Sequence, residues 1–253
     1  MINICFVASG SKGNATLISD GDSLIQIDMG ITLKTLRQGL SHFGKSVREI
    51  DALFITHCHT DHVKGVSLFH GKIPIFATED TLDPEDVFEV IEPYVGIEVG
   101  NLSVFPFSLS HDAPNPVGYI IRSGEEKLGY VTDTGLLDDT ALELLKDCDY
   151  YLFESNHDLE MLMKSDRPMV LKQRIHSDHG HLSNADSALY LSSLIGPKTK
   201  AVYLAHLSEE CNTPQKALAT QRRILEEKGV DLSKVKIIAT EQWKEVLGGD
   251  WAL

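Results

Sequence analysis

Four cysteines in 253 residues, Cys5, Cys58, Cys148 and Cys211, are too few and too scattered for a disulfide frame. None stands in a Cys-x-x-Cys pair, so a reducing cytoplasm is the expected compartment. No apolar run approaches the ~20 residues a membrane span needs, so no membrane association is expected. The opening residues, Met1-Ile2-Asn3-Ile4-Cys5-Phe6-Val7, lack a basic region and lead straight into a strand-like run, so no secretory signal is expected either. Positive charge is also in short supply. Lys and Arg number 23 against 37 Asp and Glu, a formal net charge of −14. That balance argues against broad, non-specific attachment to nucleic acid or anionic lipid. It leaves a phosphate substrate open, because bound divalent cations can invert the sign of a site. The chain has no low-complexity linker and no short internal repeat. Its length allows one large domain or two small ones; one domain over 1–253, with a sizeable core, is the expectation.

What the sequence does have is concentrated in Thr56-His57-Cys58-His59-Thr60-Asp61-His62, where three imidazoles and a carboxylate fall within six positions. The apolar run Ile50 to Ile55 before it has strand character, and Val63 to His70 after it can begin a helix. Alternation along an extended segment points His57 and His59 the same way and turns Cys58 aside, which reads as packing. Asp61 and His62 lie past the turn and can reach a second point. Neutral imidazole nitrogen and hard carboxylate oxygen are metal donors, and the spacing suits two metal positions better than one.

Strands are expected at 2–8, 15–19, 23–28, 73–77, 102–109, 118–122, 127–132, 150–153, 201–205 and 235–239. Amphipathic periodicity predicts helices at 31–43, 138–147, 184–195 and 214–228, and two pieces over 158–176 broken at Pro168. Residues 79–92, with Pro84 near a helix start, fit a helix or a loop, and the chain ends in a short tail. Ser9-Gly10-Ser11-Lys12-Gly13-Asn14 is a turn that either cradles an anion or simply joins two strands. His111, Asp133 and His206 each stand where a predicted strand stops, the place where sheet folds gather chemistry. Strands followed by a helix occur twice, around 1–70 and 101–195, which suggests two similar layers with a site at their shared rim.

The ordered set His57-x-His59-x-Asp61-His62, His111, Asp133 and His206 resembles the metallo-β-lactamase fold superfamily over nearly the whole chain. The resemblance implies an α/β fold, an αββα sandwich of two mixed β-sheets flanked by helices. It also implies a centre of two divalent metal ions (Zn, Mn or Fe). His57, His59 and His111 would hold one ion, Asp61, His62 and His206 the other, and Asp133 would bridge them. Asp133 stands where true lactamases often carry Cys and looks like the phosphodiesterase and thioesterase branches. Ser9 to Asn14, Glu154-Ser155-Asn156-His157-Asp158, Gly180-His181-Leu182-Ser183-Asn184 and Leu204 to Ser208 are similar to the WalJ/YycJ group of small metallohydrolases. That group is linked to DNA exonuclease activity. Two departures, Asp178-His179 before Gly180 and Glu210-Cys211-Asn212, bear on substrate preference.

Two divalent ions about 3.5–4 Å apart can hold a bridging hydroxide and clamp a phosphodiester. In such a centre Asp61 belongs to the catalytic set. His181, in a Gly-flanked loop ahead of a helix, is the candidate to protonate the leaving oxygen or to hydrogen-bond the phosphate; an ordinary helix entry capped by Ser183 or Asn184 is the alternative. Glu154 and His157 suit either catalysis or the orientation of a ligand. Lys164, Arg167, Lys172 and Arg174 form the densest basic stretch; they either guide a nucleic-acid backbone toward the metals, with Lys172 and Arg174 binding substrate, or form a solvated helix face. The expected activity is a nucleic-acid exonuclease, with DNA ahead of RNA as substrate. A small-molecule hydrolase on the same fold and a non-catalytic metal protein are the competing readings.

Overall fold

The computed structural model describes all residues except 84, 85, 87 and 253. The first sheet is built from β1 (Asn3–Ala8), β2 (Ala15–Ser19), β3 (Leu24–Ile27), β4 (Ala52–Phe54), β5 (Ile75–Ala77) and β6 (Glu89–Val90). Helix α1 (Leu33–Ser41) crosses from β3 to β4, and the one-turn helix α2 (Thr60–Val63) follows β4. The second sheet takes β7 (Ile97–Val99), β8 (Leu102–Ser108), β9 (Val117–Ser123), β10 (Glu126–Val131), β11 (Tyr150–Glu154), β12 (Ala201–Ala205) and β13 (Lys236–Ala239). Between them run α3 (Asp139–Leu145), α4 (Leu159–Lys164), α5 (Met169–Ile175), α6 (Asn184–Leu194) and α7 (Pro214–Glu227). The chain then returns to the first sheet as β14 (Val246–Gly249), paired with β1.

Among the described residues each sheet has seven strands, in the orders β14-β1-β2-β3-β4-β5-β6 and β13-β12-β11-β10-β9-β8-β7. In both, one half is antiparallel hairpins and the other half is parallel strands joined through crossovers. This is the repeated pattern expected from the sequence, and the two sheets face each other.

Alternation along the strands explains the layering. In β1, Ile4 and Phe6 enter the core between the sheets, whereas Cys5 and Val7 pack under α1. In β12, Tyr203 and Ala205 face the other sheet, and Val202 and Leu204 face the outer helices. Strands covered on both faces need apolar residues at every position, which is why they read as continuous runs. Helices α3, α6 and α7 cover the second sheet with Leu145, Leu191 and Leu225. Among the described residues no helix is long and apolar enough to cross a membrane.

Three expectations change. The helix expected over 63–70 is split: α2 ends at Val63, and a 3-10 turn covers Val66–Phe69. The break is at Gly65, where a Cβ would meet Met29 and the Ile31 carbonyl within 3 Å. The stretch 79–92 contains the short strand β6, while Pro84 lies outside the described residues. The expected tail is the edge strand β14, which sequence reading misses because Val246-Leu247-Gly248-Gly249 carries two glycines and no alternation.

Candidate metal centre

Strand β4 runs out at Phe54, and the backbone then carries Thr56 and His57 to the rim shared by the sheets; Val117 N–H of β9 donates to the Thr56 carbonyl (2.9 Å). Thr56 is buried, and its N–H and hydroxyl both donate to the carboxylate of Asp28. His57 is buried as well. Its Nδ1 lies 3.0 Å from Thr56 Oγ1, which leaves Nε2 as the buried atom with no hydrogen-bond partner. His59 precedes α2 and points Nδ1 at His111 Nε2, 3.3 Å away. His111 donates from Nδ1 to the Gly180 carbonyl (2.9 Å), so the nitrogen facing His59 is the free one. His57, His59 and His111 thus present three donor atoms within 4.8 Å of one another.

Helix α2 turns Asp61 and His62 to a second point. His62 is fully buried and donates from Nδ1 to Asp28 Oδ2 at 2.7 Å. Its Nε2 faces Asp133 Oδ2 at 3.3 Å and Asp61 Oδ2 at 3.4 Å. His206, at the end of β12, points Nε2 toward Asp61 Oδ2 (3.7 Å) and Nδ1 toward Glu154 Oε1 (3.0 Å). Asp61, His62 and His206 form one cluster of donors, and His57, His62 and Asp133 another. Asp133 Oδ2 and His206 Nε2, like His57 Nε2, are buried without a hydrogen-bond partner. A buried polar atom left unpaired costs about 1–3 kcal/mol. Several of them in overlapping donor clusters fit cations, and the imidazole–carboxylate donor set suits divalent metal ions.

Backbone strain is gathered at the same place. Asp28, Asp133 and His206 hold φ of 61°, 56° and 55°, a left-handed conformation that costs non-glycine residues roughly 1–3 kcal/mol. The Gly-rich turn also serves this site. Asn14 donates to the Gly10 carbonyl (3.0 Å), and the same amide nitrogen lies 2.9 Å from His62 Nε2 and 3.1 Å from Asp61 Oδ2. Asn14 N–H donates to the Asp61 carbonyl, and Gly30 N–H to the Asn14 carbonyl. A Cβ on Gly30 would sit 1.5 Å from the Asp61 carbonyl oxygen, so only glycine lets this loop approach α2. Of the two roles expected for residues 9–14, the joining of two strands is the one seen, between β1 and the antiparallel β2, and the turn also braces α2.

The charge pattern follows from burial. Burial, with neighbouring imidazoles, holds the His57 pKa well below its ordinary value, so it stays neutral as a ligand must. Burial also pulls on His62 and His206, but with no cation between them carboxylates outweigh it, and the same carboxylates would favour a cation in the proton's place. Asp28 and Asp133 hold His62 well above its ordinary value, and Asp133, Asp61 and Glu154 push His206 up to about 10. Burial opposes ionisation of Asp61, yet the neighbouring His206 and His62 imidazoles bring its pKa far below the usual carboxylate range.

Glu154, fully buried at the end of β11, accepts from the N–H of Thr134 and of Leu182 through Oε2. Its Oε1 accepts from both His181 Nδ1 (2.8 Å) and His206 Nδ1 (3.0 Å). His181 thus joins Asp133, Glu154 and His206 in a further cluster of donors, its side chain one-fifth exposed. His157 lies deeper, its Nε2 3.4 Å from His176 Nδ1, and burial lowers its pKa to about 4. Cys58 is part-buried and lies outside every candidate ligand group of the described residues.

The basic stretch is organised differently from expectation. Lys172 is buried, and its Nζ donates to the carbonyls of Met163 and Ser165, both at 2.7 Å. It ties α5 to the end of α4, with its ammonium turned inward onto backbone acceptors. Lys164 pairs with Glu160 and Arg167 with Glu210. Arg174 alone reaches the metal-side cleft, where it lines the wall with His59, His111 and His181 and pairs with Asp112. Sequence reading missed Asp28, Asn14 and Asp112. Asp28 had one signal available, since it is an acidic residue at the end of a strand.

The family model for the beta-lactamase superfamily domain matches residues 25–207. Exodeoxyribonuclease YycJ of Bacillus anthracis is 32% identical over 242 residues, 90% of each chain. Exodeoxyribonuclease WalJ of Streptococcus pneumoniae is 32% identical over 230 residues, 85% of this chain and 84% of the relative. Among solved structures, the metallo-β-lactamase fold protein YhfI of Bacillus subtilis superposes with a TM-score of 0.72 at 13% identity, over 98% of this chain and 99% of the other, a likeness of fold alone. The chain belongs to the metallo-β-lactamase fold superfamily, in the group of the YycJ and WalJ proteins.

Proposed function

We propose that the chain is a metal-dependent phosphodiesterase that degrades nucleic acid from an end, with DNA as the preferred substrate, in a reducing cytoplasm. The observation that carries this reading is the gathering of seven donors, from the ends of four strands and from α2, into overlapping clusters in which His57 Nε2, Asp133 Oδ2 and His206 Nε2 are buried and unpartnered. The names of the two relatives, both exodeoxyribonucleases, support nucleic acid as substrate. Four free cysteines suit a reducing compartment.

Two divalent cations would be held, one by His57, His59 and His111 and one by Asp61, His62 and His206, with Asp133 on both; Zn, Mn and Fe all suit this donor set. When bound, such a pair supplies a nucleophile at neutral pH and clamps the phosphodiester oxygens. The residues around it have separate tasks. Asp28 and Thr56 fix the imidazole tautomers of His62 and His57 through their Nδ1 atoms. Glu154 fixes those of His206 and His181 in the same way. With its Nδ1 committed to Glu154, His181 has Nε2 left to give a proton to the leaving oxygen or a hydrogen bond to the phosphate. Arg174, on the cleft wall and paired with Asp112, has a 58% exposed guanidinium that can turn to a phosphodiester beside it.

The test is hydrolysis by metal-loaded protein of 5′-labelled single-stranded and duplex DNA, RNA, and a small thioester. Chelator-sensitive, stepwise shortening of DNA is the expected result. Thioester turnover without any phosphodiester cleavage would replace this reading with a small-molecule hydrolase. A His181→Ala variant should keep its metal and lose ~10²–10⁴-fold in rate. The deficit should shrink on a nitrophenyl ester, whose leaving group needs no proton, if His181 is the acid.

A further inference from the structure

His181 forms part of two walls. One is the small cleft with His59 and His111; the other is a cavity of about 620 Å³ on the far side, between the 177–181 loop and α6. That cavity lies within the ~300–1,000 Å³ range of small-molecule sites. It has no role in the chemistry described above. Its lining combines the side chains of Leu136, Leu189 and Tyr190 with the carboxylates of Asp178 and Asp186, and it includes no Lys or Arg. Leu136 and Leu189 are unusually open for apolar residues, 43% and 46% exposed. The loop wall is held in place by contact with Gly135, where a Cβ would come within 2.1 Å of the Ser177 carbonyl oxygen.

We infer that this cavity receives the nucleobase next to the scissile phosphate, at an unpaired strand end; the inference rests on the phosphodiesterase reading. Because His181 is common to both walls, a phosphate held at the donor cluster places its neighbouring nucleoside at the cavity mouth. Apolar and aromatic walls suit a π-face. The two carboxylates repel a second phosphate and accept hydrogen bonds from amino groups, so adenine, cytosine and guanine fit better than thymine. A base stacked within a duplex is closed on both faces, so a frayed or single-stranded end is required.

The experiment has a binding arm and a kinetic arm. In the first, ¹⁵N-labelled, zinc-loaded protein is titrated with deoxycytidine and with thymidine, neither of which carries phosphate. Amide shifts at Leu136, Asp178 and Leu189, stronger for deoxycytidine, are expected, and Leu189→Trp should remove them. In the second, Leu189→Trp and Leu136→Asp should each raise KM for a single-stranded oligonucleotide about tenfold relative to that for methyl p-nitrophenyl phosphate, which has no base. No nucleoside-dependent shift, or an unchanged KM ratio in both variants, overturns the inference. If no phosphodiester at all is hydrolysed, the parent reading fails, and the nucleoside titration still reports on the cavity separately.

Discussion

At the scale of single residues, the donor cluster depends on groups that lie outside it. Asp28 is buried, accepts from His62 and twice from Thr56, and holds a left-handed backbone. In Asp28→Asn the amide cannot accept from all three donors, and the negative charge opposite His62 is gone. Metal affinity, measured by competition with a chromophoric chelator, should fall about 10–100-fold, the range for such outer partners. His157 gives a pH signature of its own. Its folded pKa is about 4, against about 6.5 for an unfolded histidine. Above pH ~6.5 both states are neutral and its contribution to stability is complete. As the pH falls toward 4 only the unfolded chain takes up the proton, so stability drops, by about 3 kcal/mol in all. Urea unfolding at pH 7 and pH 4, with chelator throughout, should show a smaller drop for His157→Gln than for the wild type.

At the scale of elements, α4 and α5 show how sequence position misleads about charge. Lys172 and Arg174 are two residues apart on one short helix, yet Lys172 closes the α4–α5 junction and Arg174 faces the cleft. Their substitutions should therefore separate. Lys172→Met leaves two carbonyls without their donor and should cost about 1–3 kcal/mol of stability, with little change in substrate KM. Arg174→Gln should leave the melting temperature nearly unchanged and raise KM for an oligonucleotide, with a shallower dependence of KM on salt. A melting curve and a salt series on each variant decide the point.

At the scale of the whole molecule, the donor atoms come from both sheets: β4 and α2 supply His57, His59, Asp61 and His62, and β8, β10 and β12 lead to His111, Asp133 and His206. Bound cations would therefore tie the halves together. At free metal a thousandfold above its dissociation constant, linkage adds about 4 kcal/mol to the folded state. Removing metal with chelator should lower the melting temperature, and Asp133→Asn should abolish most of that difference. Equal melting temperatures with and without chelator would show that the sheets hold together independently of the site.

Most strands, the outer helices and the set of candidate donors were legible in the amino-acid sequence, whereas β6, β7 and β14 were not. Periodicity of two or 3.6 is local, and strands buried on both faces announce themselves as apolar runs. A cluster as dense as His57 to His62 is likewise visible in a few adjacent residues, and His111, Asp133 and His206 stand out because each ends a strand. Only the folded chain shows which polar residues brace those donors. Asp28 meets His62 across 34 positions, and Glu154 meets His206 across 52, through side-chain bonds that no local pattern encodes. It also shows that Lys172 is internal and Arg174 is not. Burial depends on what packs against a side chain, and for Lys172 that partner is the end of α4, brought close only once Pro168 has turned the chain.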